Sequence, residues 1–439
     1  MPSTSNTQRP KRTAVGPLLH VFMHGMEIAH LSSTREGRVK LTYLEGASNV
    51  TRGLSYSMPT SGVEYRGERV ANWLDCLLPD RSEVLTRWRT RYELTRQDAY
   101  ALLWHVGEDV AGAAQFIRPD RLGLMDEAGY AQPISEAEIA ARIRSLIADA
   151  TSWAPSAGTG QFSLAGAQAK FALAQTLEGW AEPTGHIPTT HIFKPAIPGM
   201  VDQDLNEHLT MRLAHEVGLP VAPTQLVEFD GARALVVSRF DRYLDAQGTW
   251  RRIHQEDAVQ ALGLSPLHKY ESQGGPGVRA LEGLLKLAIT GGHALEDVNT
   301  FLDAVAFNWL VVGTDAHARN YALLHHGQSM RLAPLYDLNS FLPYLSHRSE
   351  RPSQLAMRIG FTEANPTAIS RRDWEELARD CRVDEDALVT RVRLLGERLL
   401  VSSKSILLAD EVAKWSSDLP AGLHASLIAH VERCLQQLK

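Results

Sequence analysis

The sequence predicts an α+β protein of two lobes, a β-rich lobe followed by a larger, mostly helical one, with an extra β-rich unit ahead of both. Three observations predict it. Short apolar stretches split by glycine fill the first fifty residues, as strands and hairpins do. Strand-like runs return over roughly 161–240 around a single helical pattern. From 255 onward apolar residues recur at helical spacing, interrupted only by loop and strand text at 313–340. A chain of 439 residues is also too long for one compact core, which fits several units.

Taken in order, residues 1–13 are polar, carry Pro10, Lys11 and Arg12, and read as a disordered tail without the apolar stretch of a signal peptide. Residues 14–115 form the first unit. Its strands are expected in 19–23, 27–31 and 39–44, and its second half, from about 70, reads as helical, with Thr95 as a helix cap. Residues 116–245 form the β-rich lobe. A helix is expected at 135–149, then a loop rich in Ser, Gly and Pro, then a strand pair over 162–175 around a turn of small residues. The run 190–195 is a strand that must end at Pro195. The run 206–217 is a helix with an apolar stripe at Leu209, Leu213 and Val217, closed by Gly218. Strands at 225–229 and 234–240 flank Asp230-Gly231. Residues 246–439 form the helical lobe, in which His254-Gln255-Glu256-Asp257 reads as a capped helix start. A cleft between two such lobes is where a ligand is expected.

Composition excludes several function classes. The apolar fraction is 44%, charged residues make up 22%, and net charge is −6, which argues against coating nucleic acid by bulk charge. The three cysteines, Cys76, Cys381 and Cys434, are far apart and provide neither a disulfide framework nor a CxxC site, so a reducing cytoplasm is expected. No run of about 18 apolar residues predicts a membrane span. HExxH does not occur, so no zinc-protease motif is predicted.

Chemistry concentrates in four segments. An apolar helix end at 307–312 runs into Gly313-Thr314-Asp315-Ala316-His317-Ala318-Arg319-Asn320. Asp315 and Asn320 stand five apart, the spacing of the catalytic aspartate and metal-binding asparagine in protein-kinase catalytic loops. A carboxylate there can orient the attacking hydroxyl, and a neutral oxygen five residues on can hold Mg²⁺. Alone the pattern is weak, since Asp and Asn commonly close loops. Seventeen residues later an apolar strand ends in Tyr336-Asp337, where a second Mg²⁺ ligand belongs. Lys194, on the strand 190–195, needs a partner if it faces inward; phosphates or Glu207 supply one, and a solvated edge lysine is the bland alternative. Finally, Ser163-Leu164-Ala165-Gly166-Ala167-Gln168-Ala169-Lys170 has the small residues that let backbone N–H groups approach phosphate, though a plain hairpin turn reads the same. The loop from Lys269-Tyr270 to Gly277 has no role assigned by this reading.

In that order, these segments resemble the HipA family of bacterial serine/threonine protein kinases, the toxins of type II toxin–antitoxin pairs. The resemblance is carried by 163–170, the Lys194 strand, Asn206-Glu207, Gly218-Leu219-Pro220-Val221-Ala222, Val237-Ser238-Arg239-Phe240-Asp241-Arg242, Gln255-Glu256-Asp257, Lys269-Tyr270-Glu271-Ser272, Gly274-Gly275-Pro276-Gly277, Asp315 to Asn320 and Tyr336-Asp337. It implies a protein-kinase-like fold and ATP and Mg²⁺ as cofactors. It implies Asp315 as catalytic base, Asn320 and Asp337 as metal ligands, Lys194 on the ATP phosphates and Glu207 as its ion-pair partner. Ala165, Gly166, Ala167, Gln168, Ala169 and Lys170 would be the phosphate loop. Ser238, Arg239 and Phe240 would be the adenine hinge, and His317, Ala318, Arg319 and Asn320 would lie along the nucleotide. Ser163 matches the serine the family autophosphorylates to switch itself off. The resemblance also implies a HipB-like helix-turn-helix antitoxin, DNA contact only through that partner, no membrane, and a protein substrate, of which glutamyl-tRNA synthetase is the family's best known. Ala316, Arg319 and Ala169 depart from the family's usual glycine, lysine and acidic residue. A small-molecule or lipid kinase, and a pseudokinase that only binds an antitoxin, are the competing readings; autophosphorylation at Ser163 would discriminate against the latter.

Overall fold

A computed structural model describes residues 18–96, 98–125, 129–152, 163–185, 187–327, 329–347, 354–361 and 364–439. The tail expected at 1–13, most of the loop after 152 and Phe162 lie outside these residues.

The first unit is a sheet backed by helices. Strands β1 (Leu19–Met23) and β2 (Met26–Ser33) are joined by His24-Gly25, both at positive φ (52° and 79°), the backbone of a two-residue hairpin turn. Strand β3 (Val39–Tyr43), the short pair β4 (Gly53–Ser55) and β5 (Met58–Pro59), and β6 (Glu64–Arg66) follow, then helices α1 (Glu68–Asp75), α2 (Ser82–Arg91) and α3 (Ala99–Val106), and β7 (Gln115–Ile117). The sheet order is β6-β3-β2-β1-β7. Its inward residues Leu19, Val21, Leu31 and Leu41 bury against Trp73 and Trp88. The cap of α3 is Asp98, not Thr95: its carboxylate accepts from Ala101 N at 3.0 Å, and an ionised acceptor at that place satisfies a free helix N–H well.

The second unit begins with β8 (Ala131–Pro133) and α4 (Glu136–Ala148), whose Ser135 and Glu138 form a capping box. Strands β9 (Phe171–Thr176), β10 (Gly179–Pro183) and β11 (His191–Pro195), helix α5 (Gln203–Glu216), and strands β12 (Thr224–Phe229) and β13 (Ala232–Ser238) complete it. The sheet runs β12-β13-β11-β9-β10-β8, so β11, which carries Lys194, is paired on both sides. The strand pair expected over 162–175 is instead one strand, β9. The backbone of 163–166 bonds to the first unit: Ser163 N donates to Asp109 O at 3.0 Å and Asp80 N donates to Gly166 O at 3.0 Å.

The helical lobe opens with a hairpin absent from the sequence reading, β14 (Arg242–Leu244) and β15 (Trp250–Arg252). Residues 254–257, expected as a helix start, are strand β16 (His254–Asp257), and only its last residue, Asp257, caps the following α6 (Ala258–Ala261). Helices α7 (Val278–Ala288) and α8 (Ala294–Val311) lead to β17 (Ala322–His326), which pairs with β16, and β18 (Ser329–Leu332), which pairs with β17. Helices α9 (Arg371–Asp380), α10 (Glu385–Leu407), α11 (Asp410–Ala413) and α12 (Leu419–Gln437) close the chain. Phe301, Phe307 and Trp309 of α8 and Trp374 of α9 fill this core. Among the described residues no helix is long and apolar enough to cross a membrane.

Candidate active site

The cleft between the sheet of the second unit and the helical lobe encloses a cavity of about 300 Å³. Lys194 reaches it from β11. Alternation puts Phe193 in the core on one face of the sheet and Lys194 on the other. Its Nζ donates to Glu207 Oε1 of α5 at 2.6 Å and to Asp337 Oδ1 at 2.9 Å. Burial opposes the lysine's charge, but Asp337 and Glu207 overcome it and hold Lys194 protonated. Burial likewise opposes the carboxylate of Asp337, and Lys194 and Lys170 together hold it ionised. Asp337 sits at φ 60°, a left-handed backbone that a non-glycine residue adopts only when its surroundings impose it.

The loop after α8 turns sharply. Val312 is left-handed at φ 55°, and a Cβ on Gly313 would run into the Asn308 side chain, so only glycine fits there. Asn320 Nδ2 donates to the Asp315 carbonyl at 2.7 Å, closing the loop and leaving its amide oxygen as the acceptor for a ligand. Tyr270 Oη donates to Asp315 Oδ1, and the Tyr270 ring stands edge-on to His317 with centroids 4.9 Å apart. The Asp315 side chain remains 57% exposed. Partial desolvation first, and Asp337 second, push its pKa up, against the opposing bond from Tyr270. Burial and Lys269 lower His317 to about 4, so it is neutral near pH 7. Among the described residues its buried Nδ1 has no hydrogen-bond partner.

The segment 163–170 covers the cavity. Gly166 is at φ 104°, and a Cβ there would stand 2.8 Å from Lys170 Nζ. Lys170 donates to Ala165 O at 2.7 Å; burial and the neighbouring charge of Lys194 lower its pKa to about 8. Gln168 bonds Pro195 O and the Gln203 side chain, pinning the segment to β11 and α5. Ser163 is fully buried and its Oγ donates to Leu77 O at 2.7 Å.

Most of the residues singled out in the sequence line this one cavity: Ala165 to Gln168, Lys170, Lys194, Ser238, Arg239, Phe240, Asp315, His317, Arg319, Asn320 and Asp337. Ala169 and Ala318 pack into the cores instead, and Glu207 and Ser163 lie behind the lining. Of the arginines lining the cavity, Arg239 and Arg319 direct their guanidinium groups to other partners. Arg239 binds Asp241, Thr189 and Val110 O. Arg319 binds Asp80, Asp257 at 3.0 Å and Cys76 O at 2.7 Å. Sequence reasoning missed Asp80 of the first unit, whose other oxygen accepts from Lys269 at 2.7 Å. It also gave no role to Tyr270. Asp80 lies in an ordinary Pro-Asp loop, so nothing in its local text signals a cleft residue.

A sheet lobe and a helical lobe, a strand lysine paired to a helix glutamate, and an Asp–Asn loop sharing one cavity with the aspartate of the loop after β18 define a kinase. The model of the HipA-like C-terminal domain matches residues 162–400, and that of the HipA N-terminal domain matches 19–117. The chain belongs to the HipA family. It is 34% identical over 373 residues to the putative kinase Y4mE of Sinorhizobium fredii, covering 83% of this chain and 86% of that protein. It is 28% identical over 394 residues to the serine/threonine-protein kinase toxin HipA of Shewanella oneidensis, covering 87% of each. The solved Shewanella oneidensis HipA, in a complex with HipB and its operator DNA, superposes with a TM-score of 0.80 at 25% identity, covering 96% of this chain and 98% of that one.

Proposed function

We propose that this chain is an ATP- and Mg²⁺-dependent serine/threonine protein kinase that acts as a cytoplasmic toxin, halting growth and promoting persistence by phosphorylating a cellular protein. The convergence of Lys194, Asp315, Asn320 and Asp337 on one cavity carries this reading. In it, Asp315 accepts the proton of the attacking hydroxyl, and its exposed side chain is open to a protein substrate. Lys194 holds the nucleotide phosphates and Glu207 keeps it aimed. Asn320 and Asp337 are the donor set Mg²⁺ prefers, one neutral oxygen and one carboxylate beside phosphate oxygens. The bound metal and nucleotide supply charge neutralisation and the transferred phosphoryl group. His317 Nδ1 offers the unpaired polar atom that a nucleotide would meet. The backbone of 238–240 receives the adenine, and 165–170 cradles the phosphates.

Ser163 is the proposed autophosphorylation site. Its buried hydroxyl has no room for a phosphate, so modification requires the segment to leave its seat, and added negative charge keeps it out of a nucleotide-binding cleft. A HipB-like antitoxin is the proposed partner, with DNA contacted through it, and glutamyl-tRNA synthetase is the first substrate to try. The test is Asp315→Asn and Asp337→Asn. Both are expected to abolish labelling from γ-labelled ATP and to relieve growth inhibition. Autophosphorylation retained in both variants would overturn the proposal.

A further inference from the structure

The first unit carries a side-chain cluster that the kinase reading leaves unused. His20 and His30 are directly opposite across β1 and β2, and their rings meet edge-to-face with centroids 5.2 Å apart. Regular alternation would put residue 28 on the same face. The strand pair instead shifts register between Val21 and Phe22, so that Val21 pairs with Ala29 but Phe22 pairs with Glu27. Ile28 is the extra residue of this bulge; it and Ala29 both turn into the core at 0% exposure. Glu27 therefore emerges on the histidine face. Such bulges re-aim a side chain at local cost to the ladder.

The re-aimed carboxylate lands between the imidazoles. His20 Nδ1 lies 2.5 Å and His30 Nε2 lies 2.9 Å from Glu27 Oε1, and the three ligand atoms all lie within 4.8 Å of one another. The side chains are 16%, 30% and 32% exposed in the order His20, Glu27, His30, so water can enter but does not dominate. Phe22 and Ile117, which pair with Glu27 and His20 on the same face, are 9% and 2% exposed and form an apolar wall beside the cluster.

We propose that His20, Glu27 and His30 form a site for a divalent transition cation of the zinc type. Two imidazoles and a carboxylate are a donor set zinc takes with water in the fourth position. The donors come from two adjacent strands held in fixed register, so little order is lost on binding. To ligate, each histidine presents its Glu27-facing nitrogen as a lone pair and carries its proton on the other ring nitrogen. The carboxylate then exchanges two N–H donors for the metal, and binding weakens as the imidazoles protonate. The site clasps the first hairpin of the unit and is separate from the cleft. No short motif announces it, because its spacing is set by strand register rather than by one helix.

The test uses full-length, tag-free protein stripped with chelator. ZnCl₂ is titrated by calorimetry and thermal unfolding, and Co²⁺ is used as a spectroscopic probe. The expected result is one Zn²⁺ equivalent that raises Tm and a Co²⁺ spectrum of four-coordinate type. The His20→Gln/His30→Gln double variant should lose that equivalent, and Glu27→Gln should bind about tenfold or more weakly. Autophosphorylation retained by the variants shows that they are folded. Equal binding by wild type and the double variant, no binding by the wild type, or a six-coordinate Co²⁺ spectrum would each overturn the proposal and leave a hydrogen-bonded His–Glu–His row.

Discussion

Tyr270 bears on the base role proposed for Asp315. Its bond to Asp315 favours the ionised carboxylate, while desolvation and Asp337 favour the protonated one. A base whose pKa is raised loses activity on the acid side at a higher pH than an ordinary carboxylate, near 4, would. Tyr270→Phe removes the bond that opposes this shift. The acidic limb of kcat/KM is therefore expected to move to still higher pH, and kcat at neutral pH to fall roughly tenfold, as Asp315 also loses its orientation. A pH–rate profile of both proteins, at saturating ATP, checks it. An unmoved limb would mean that the tyrosine only packs on His317. Lys194→Met is a second case: it leaves Glu207 buried at 1% exposure without its cation, so loss of ATP labelling should come with a stability loss of ~3–5 kcal/mol, read by denaturant melts.

At the scale of elements, much was legible where a pattern is local. The α5 stripe of Leu209 and Leu213 and the strand that stops at Pro195 follow from periodicity and proline alone, whereas the strand expected to run to Asp337 ends at Leu332 and Asp337 sits in a loop at left-handed φ. Asp315 and Asn320 stood out by their five-residue spacing, and both line the cavity. What failed was set by partners distant in sequence. The segment 163–170 is not a hairpin because Asp80 and Asp109 of another unit take its backbone bonds. Residues 254–257 are a strand because 322–325 lie beside them. Asp80 deserves its own test, since one residue touches two working parts: its N–H holds Gly166, and its carboxylate holds Lys269 and Arg319. Asp80→Asn removes an ionised acceptor from two cations while keeping shape. Backbone amides of 163–170 are expected to exchange hydrogen faster, and Ser163 to become modified sooner when ATP is added. Exchange unchanged from the wild type would assign the segment's placement to Gln168 and Lys170 alone.

At the scale of the molecule, the first unit is bound to residues 239–252 by a buried ionic cluster rather than by apolar packing alone. Asp109 sits within 3.0 Å of Arg242 and 3.1 Å of Arg252, with Arg239 at 3.7 Å, and it also accepts from Thr189 N and Oγ1. Asp241 accepts from Gly112 N at 2.7 Å, so the two units exchange partners in both directions. Burial alone would raise the pKa of Asp109, yet Arg242, Arg252 and Arg239 hold it well below the usual carboxylate range. A depressed carboxylate stabilises the fold fully above its unfolded pKa of about 3.9 and loses that contribution only as pH falls toward its folded value. Asp109→Asn leaves three buried guanidinium groups short of an anion, and a loss of ~3–5 kcal/mol is expected. The deficit should be constant between about pH 5 and 8 and shrink below about pH 4, where Asp109 takes up a proton in the unfolded wild type while the folded state still keeps it ionised. Thermal melts of wild type and variant across that range measure it. Because Arg239 and Asp241 of this cluster flank Phe240 at the proposed hinge, the variant should also bind ATP more weakly at neutral pH. A deficit that stays constant down to pH 2 would show that packing and the Thr189 bonds, not the charge of Asp109, fasten the first unit to the kinase.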